Sequence, residues 1–130
     1  MEKKVEDVGS LKEGRFAILE DEPCTIVDIK TSKTGKHGHA KSRIEGIGLI
    51  TGKKHVIILP THDKIEVPIV EKRDAQVLML RENVAQVMDM KTFETIELQV
   101  PEELKSRIRE GSQVVYWEVM GHKLLKEVRG

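Results

Sequence analysis

The sequence has few of the residues that mark several common classes of protein. Cys24 is the single cysteine, so no intramolecular disulfide can form, and aromatic residues make up only 3% of the chain. The longest apolar runs, such as residues 56–59 and 77–80, are far shorter than the roughly 20 residues of a membrane-spanning helix. No secretory leader is recognisable. These absences predict a soluble protein of the reducing cytoplasm, with Cys24 as a small core residue.

The chain also lacks net charge, but its cations are unevenly distributed. There are 22 basic and 22 acidic residues. Residues 30–43 contain four lysines, one arginine and two histidines without a single acid. Gly35 and Gly38 flank Lys36, and glycine accepts unusual backbone angles and lets another surface approach closely. Because Ser, Thr and Gly disfavour helix and regular strand, the segment is predicted to be an exposed basic loop from which Lys36 projects.

Short β-branched apolar runs bounded by turn residues predict an all-β protein. In the first half these runs are residues 16–19, 25–29, 43–50, 55–59 and 64–67. Five short strands with one long basic loop suggest a small barrel. The first dozen residues are rich in Glu, Lys and Asp, and we expect them to be a loose tail.

A charged stretch at residues 68–74 is the expected joint between two domains, since Pro68 cannot donate to a central strand ladder. Strands are then predicted at residues 75–80, 84–90, 95–100, 113–119 and 124–128, with a short helix over 101–111. Three strands, a helix and two strands are the order of an OB-fold. We therefore predict two small β-barrel domains, residues 1–69 and 70–130. The methionines at 79, 88 and 90, together with Leu98 and Val100, are expected in the core.

Three patterns that could carry enzyme or metal chemistry are incomplete. The run Gly48 to Lys54 resembles a phosphate-binding P-loop, but its glycine spacing is one residue short and it lies between two strands, so a hairpin turn is the better interpretation. His37 and His39 could bind a metal together with His55 or His62, but no cysteine or helical histidine pair supports this. Ser32, Ser42 and Cys24 have no nucleophile signature around them. No catalytic activity, metal or bound cofactor is therefore predicted.

Low aromatic content and a slightly acidic second half also argue against RNA binding by base stacking there. The basic loop is thus the best functional candidate. From its composition alone, this loop would most simply be interpreted as a solvated, charged hairpin.

The exact residue sequence of the basic loop changes that interpretation. The run Thr31-Ser32-Lys33-Thr34-Gly35-Lys36-His37-Gly38-His39-Ala40-Lys41 resembles the hypusine loop of the translation initiation factor 5A family, the archaeal and eukaryotic relatives of bacterial elongation factor P. The resemblance continues through Gly46-Ile47, Thr51-Gly52-Lys53-Lys54, Pro60-Thr61-His62-Asp63 and Val67-Pro68. It implies an N-terminal SH3-like barrel and a C-terminal OB-fold. The chain end at Gly130 suggests the shorter archaeal form.

The resemblance implies a chemistry for Lys36 in which this chain is the substrate. Deoxyhypusine synthase would transfer an aminobutyl group from spermidine to Lys36, giving deoxyhypusine or, after hydroxylation, hypusine. The factor would act as a monomer on the ribosome beside peptidyl-tRNA and promote peptide bond formation at stalled sequences. Contacts to RNA or tRNA are expected from the loop residues Lys33, Gly35, Lys36, His37, Gly38, His39, Lys41 and Arg43.

Two other functions remain open at this point. The first is a general RNA-binding adaptor that uses the basic loop unmodified, as the cation cluster alone would allow. The second is a hydrolase or metal enzyme that uses His37 and His39, which nothing else in the chain supports.

Overall fold

The computed structural model describes residues 3–33 and 40–129, and most of them lie in antiparallel strands. The chain divides into two compact units, Met1–Ile69 and Val70–Gly130. Each unit has its own hydrophobic core. The all-β prediction is confirmed. No described helix is long and apolar enough to span a membrane.

The first unit contains six strands, namely β1 (Lys3–Asp7), β2 (Phe16–Leu19), β3 (Glu22–Ser32), β4 (Lys41–Gly48), β5 (Lys54–Pro60) and β6 (Lys64–Pro68). Strands β2, β3, β4 and β5 form one sheet in that order, and β1 pairs with β6. Strand β2 also contacts β5 and β6, which curls the two sheets around one core. This is the predicted SH3-like barrel. Its core residues are Val8, Leu11, Ala17, Leu19, Cys24, Ile26, Ile44, Ile65 and Val67.

Strand β4 shows why the sequence folds in this way. Its side chains alternate, with Ser42, Ile44 and Gly46 buried and Lys41 and Arg43 exposed. Successive residues of a strand point to opposite faces, so one face of β4 closes the core and the other carries the cations.

The expectation of a loose N-terminal tail is wrong. Strand β1 pairs along its length with β6, from Lys3 opposite Pro68 to Asp7 opposite Lys64. A 3₁₀ turn, Val8–Ser10, follows, and only 1% of the Val8 surface is exposed. The prediction was wrong because β1 is rich in charged residues and exposes most of its side chains. The strand is held in place by its backbone pairing with β6 and by the buried Val8.

The second unit contains β7 (Val70–Arg81), β8 (Val84–Asp89), β9 (Thr95–Gln99), β10 (Gln113–Val119) and β11 (His122–Arg129). The sheet order is β11-β10-β7-β8-β9, and the edge strands β9 and β11 contact each other. This closed order confirms the predicted OB-fold. Its buried cluster includes Val77, Val87, Leu98, Val114 and Leu125.

The short helix predicted over 101–111 is reduced to one 3₁₀ turn, Glu102–Leu104, followed by turns. Leu104 and Ile108 are buried. Gly111, at φ +85°, donates its N–H to the carbonyl of Val77 instead of capping a helix. Burial of Leu104 and Ile108 and the hydrogen bond from Gly111 to Val77 thus hold this segment in place of regular helical hydrogen bonds.

Two further expectations about the second unit need correction. The strand predicted at 75–80 begins earlier, because β7 starts at Val70 and takes up most of the stretch 68–74. The boundary between the two units does fall within that stretch, after Ile69. Met79 and Met90 are each 43% exposed and are not core residues, whereas Leu98 and Val100 are buried. Met79 lies at a register shift of β7, and such bulges change the direction in which side chains point.

Candidate functional site

The basic loop is carried by the longest hairpin of the first unit. Strands β3 and β4 pair up to Ser32 opposite Lys41, immediately before the segment 34–39 that contains Lys36. Strand β5 flanks β4 on its other side and places Pro60 opposite Lys41. The basic loop therefore joins the two central strands of the four-stranded sheet, and the strand residues on either side of it, Ser32 and Lys41, are held by backbone pairing.

Three hydroxyl groups meet beneath the base of this loop. The Oγ of Ser42 is buried and lies 3.1 Å from Oγ1 of Thr31 and 3.0 Å from Oγ1 of Thr61. The backbone N–H of Thr61 also donates to the carbonyl of Ala40 at 2.9 Å. The turn after β5 is thus bonded to the first described residue after the loop. We call Thr31, Ser42 and Thr61 the hydroxyl cluster.

The N-terminal segment supports the hydroxyl cluster from behind. Gly9 donates its N–H to the carbonyl of Thr61 at 3.1 Å, and Val8 donates to the carbonyl of Asp63 at 2.9 Å. A Cβ on Gly9 would lie 3.2 Å from Cγ2 of Thr61. Gly9 therefore allows a close approach that fixes the Thr61 turn.

Beside the loop, exposed cations form a row on the outer face of the hairpin. Lys41 and Arg43 lie on this face of β4, and Lys30 lies directly opposite Arg43 on β3. Arg43 also contacts Glu45 at 3.4 Å, so its charge is partly compensated. No carboxylate lies within 4.0 Å of Lys30 or Lys41 among the residues that the structure describes. An exposed row of this kind can contact phosphate groups without reading sequence.

Of the predicted site residues, Lys33, Lys41 and Arg43 are described, and all three are exposed. Gly35, Lys36, His37, Gly38 and His39 lie outside the described residues. The sequence predicted a loop over the whole of residues 30–43, but the structure places Lys30 in β3 and Lys41 and Arg43 in β4, where they form a row on paired strands. Sequence reasoning also missed Thr61 as a support of the loop. The alternation of β3 could have indicated Lys30, but the contact of Thr61 with Ser42 depends on tertiary structure.

At the other end of the hairpin, a buried carboxylate organises the turn between β4 and β5. Glu22 accepts hydrogen bonds from the N–H groups of Ile50 and Thr51, from the Thr51 hydroxyl and from His55. A Cβ on Gly48 would lie 2.1 Å from this carboxylate, so the glycine makes room for it. The P-loop-like run is therefore a hairpin turn, as predicted, and it binds the chain's own carboxylate.

The bonds to Glu22 also determine its charge state. Burial alone would raise the pKa of Glu22, but the hydrogen bonds from Thr51, His55 and Ile50 outweigh burial and lower the pKa to about 2. The pKa of His55 is raised, mainly by its hydrogen bond to Glu20 at 2.9 Å and then by the bond to Glu22 at 2.7 Å. His55 is thus engaged by two carboxylates. No cluster of three potential metal ligands occurs among the described residues.

In the second unit, a single buried carboxylate has a similar role. Asp89 accepts hydrogen bonds from the Tyr116 hydroxyl at 2.5 Å and from the N–H groups of Lys91 and Thr92. Burial opposes ionisation of Asp89, but these donors, with Arg73 nearby, lower its pKa to about 2. Burial and the bond to Asp89 raise the pKa of Tyr116. This network ties β8 and its following turn to β10.

The geometry defines a class of protein: an SH3-like unit that presents a cationic hairpin loop, followed by an OB-fold unit. Comparison with known proteins agrees with this class. A family model described as "Translation initiation factor 5A-like, N-terminal" matches residues 2–63. A solved structure titled eukaryotic translation initiation factor 5A from Methanococcus jannaschii has 42% sequence identity and a TM-score of 0.91, over 98% of this chain and 95% of that one.

Two curated relatives are similar over almost their whole length. Translation initiation factor 5A of Archaeoglobus fulgidus is 46% identical over 128 residues, covering 98% of this chain and 99% of the relative. That of Methanococcoides burtonii is 50% identical over 121 residues, covering 93% of this chain and 94% of the relative. This chain belongs to the translation initiation factor 5A family.

Proposed function

We propose that this translation factor binds the ribosome beside peptidyl-tRNA and promotes peptide bond formation at stalled sequences, through a hypusine or deoxyhypusine at Lys36. The observation that carries the proposal is the loop sequence from Thr31 to Lys41 on a hairpin whose two ends are fixed by strand pairing and by the hydroxyl cluster. Family membership supports the role in translation.

The chemistry at Lys36 requires a partner enzyme. Deoxyhypusine synthase would transfer an aminobutyl group from spermidine to the Nζ of Lys36, which adds length and a second amine. In that reaction this chain is the substrate, and the ribosome performs the later peptide bond formation. We propose that the factor acts as a monomer in the cytoplasm and needs no bound cofactor.

The remaining loop residues would position the modified side chain. Lys33, Lys41 and Arg43 would contact RNA phosphates, while Gly35, His37, Gly38 and His39 would allow a close approach to RNA or tRNA. If three cations each neutralise a phosphate of single-stranded RNA, the log of the affinity should fall with the log of the salt concentration at a slope of about −2. Accurate placement matters because an error of about 1 Å can reduce a rate on the order of a hundredfold.

The test of this proposal compares two conservative substitutions. Lys36→Arg keeps the positive charge but cannot accept the aminobutyl group, whereas Lys33→Arg keeps both charge and modification. Protein treated with the synthase and spermidine is assayed for peptide synthesis on a stalling template, and intact mass reports the modification. We expect Lys36→Arg to lose the stimulation and Lys33→Arg to retain most of it. Full stimulation by unmodified protein would reject the proposal.

The alternative function, a general RNA-binding adaptor, is favoured by one observation. Lys30, Lys41 and Arg43 form an exposed cationic row without any modification. An adaptor of this kind predicts that Lys33→Ala, Lys36→Ala and Lys41→Ala weaken RNA binding equally. Equal losses at the three lysines, without a special effect at Lys36, would support the adaptor and contradict the modified factor.

A further inference from the structure

The only tryptophan of the chain lies on the outer face of the OB-fold unit, between two lysines. Trp117 is in β10, directly opposite Lys72 of β7. The Nζ of Lys72 lies 4.8 Å from the centre of the indole ring, and the Nζ of Lys126 lies 4.9 Å from it. The ring is partly exposed, as is Lys126, and Lys72 is exposed. Two ammonium groups therefore lie within 5 Å of the centre of one aromatic ring.

A β-bulge aims the second lysine at this ring. In the pairing of β10 with β11, Tyr116 faces Leu125 and Val115 faces Glu127, so Lys126 is an extra residue without a partner. Bulges of this kind re-aim a side chain and are common beside functional sites. In the sheet, Trp117 faces Lys72 on one side and Leu124 on the other. The bulge brings Lys126 into this row.

The charges on these three strands leave both lysines available to a ligand. Strands β7, β10 and β11 contain four acidic residues, and each of these is paired with an arginine. Arg73 contacts Glu71 at 2.8 Å and Glu118 at 3.6 Å. Arg129 contacts Asp74 at 3.8 Å and Glu127 at 3.7 Å.

Neither Lys72 nor Lys126 has a carboxylate within 4.0 Å in the described part of the chain. Their ammonium groups contact the indole ring instead. A cation–aromatic contact at a partly exposed site is weak. Both ammonium groups can therefore exchange it for a charge-assisted hydrogen bond to an anion.

We propose that Lys72, Trp117 and Lys126 form a binding site for single-stranded RNA. The two ammonium groups bind neighbouring phosphates, and the ring surface that they leave receives a base by stacking. A basic groove combined with an aromatic platform is the general chemistry of single-strand binding without sequence preference. Phosphate alone would use the lysines, but only a nucleic acid would use the ring as well.

The site differs from the surface that OB-folds usually use. That surface is formed by the second and third strands of the fold, which are β8 and β9 here. The proposed site lies on the first, fourth and fifth strands, β7, β10 and β11. It is independent of Lys36, so it adds a second RNA contact to the chain rather than explaining the first.

Because Trp117 is the only tryptophan, its fluorescence reports directly on this site. The probe is an oligoadenylate long enough for one OB-fold, about 4–16 nucleotides, titrated into the full-length protein. We expect stacking to quench the indole emission in a saturable and salt-dependent manner. Replacing both lysines, in Lys72→Gln with Lys126→Gln, should make the log–log salt slope less steep by about 1.4, at about 0.7 per phosphate. It should also weaken binding on the order of tenfold at low salt.

Matched controls separate this site from the basic loop. Lys123→Gln changes an exposed lysine on β11 that contacts no aromatic ring of the described residues, and it should leave quenching unchanged. Trp117 is the only tryptophan, so its quenching reports on this site and not on the basic loop, and failure of the loop proposal would not affect this result. Trp117→Leu should weaken binding of labelled oligoadenylate on the order of tenfold, and the double lysine variant tests the site even if Trp117→Leu does not fold.

Three outcomes would overturn the proposal. The first is quenching that persists unchanged in the double lysine variant. The second is equal quenching by polyphosphate, which has no bases and would indicate an anion site only. The third is stronger quenching by polyglutamate than by oligoadenylate, which would indicate an acidic protein partner.

Discussion

The buried hydroxyl of Ser42 lies 3.0 Å from the hydroxyl of Thr61, a residue of the turn that follows β5. Thr61 bonds in turn to Ala40 at the end of the loop and to Gly9 of the N-terminal segment. One buried polar contact thus connects the loop base to two other parts of the first unit. The loop that carries Lys36 is supported by residues far from it in sequence.

Removing the shared hydroxyl should destabilise the first unit. In Ser42→Ala, both Thr31 and Thr61 lose a partner, and we expect the free energy of unfolding to fall by about 1–2 kcal/mol. Ser32→Ala is the control, because Ser32 is an exposed serine of the same hairpin and should change stability by less than about 0.5 kcal/mol. Chemical denaturation measures both. Equal effects of the two substitutions would show that the hydroxyl cluster contributes nothing.

The N-terminal segment should behave as part of the core. Val8→Ala removes methyl groups from a residue that is 1% exposed, and we expect a loss of about 1–3 kcal/mol in the free energy of unfolding. Val5→Ala, at a residue of β1 that is 62% exposed, should change it by less than about 0.5 kcal/mol. If Val8→Ala were as mild as Val5→Ala in thermal unfolding, the segment would be a tail after all.

Glu22 should make the stability of the first unit depend on pH. Its pKa is lowered from 4.5 to about 2, so its contribution is complete above pH 4.5 and disappears as the pH falls through about 2. Glu22→Gln should therefore lower the melting temperature at neutral pH. The difference in melting temperature between this variant and the parent protein should shrink below pH 4.5. Glu20→Gln is the control, since Glu20 is exposed and bonds only to His55 among the described residues. A constant difference across this range of pH would contradict the assignment.

Tyr116 should stabilise the second unit through Asp89. Tyr116→Phe removes the hydroxyl that donates to the buried carboxylate, and hydrogen bonds to charged groups contribute about 1.5–3 kcal/mol. A double-mutant cycle with Asp89→Asn should give a coupling energy of more than about 0.5 kcal/mol, measured by denaturation. Additive effects of the two substitutions would show that the contact is not energetically significant.

Lys41 should contribute more to RNA binding than Lys54, although both are lysines at the ends of neighbouring paired strands. Lys54 contacts Glu45 at 3.3 Å, whereas Lys41 has no carboxylate within 4.0 Å among the described residues. Lys41→Gln should make the salt slope for single-stranded RNA less steep by about 0.7, and Lys54→Gln should change it little. Equal changes in filter-binding titrations would show that the row beside the loop has no special role.

Most strands could be predicted from the sequence because strand formation leaves a local pattern of alternating apolar residues bounded by turn residues. The run Gln113–Val119 was predicted with its observed bounds, and the runs around Ile44 and Val87 were predicted within a few residues. Alternation and turn residues carry this information directly. The prediction was wrong for β1, where exposed side chains hide a strand that depends on its partner β6, and for the helix at 101–111, where tertiary anchors replace helical bonds.

The sequence by itself determined the fold class, the position of the basic loop and the family resemblance, because these depend on local composition and on the order of residues. Only the tertiary structure decided that Thr61 and Gly9 support the loop, that Glu22 fills the P-loop-like turn, and that Lys72 and Lys126 meet on Trp117. Each of these contacts joins residues from different strands or turns. Their distances follow from strand register and from one bulge, which a linear pattern of residues does not specify.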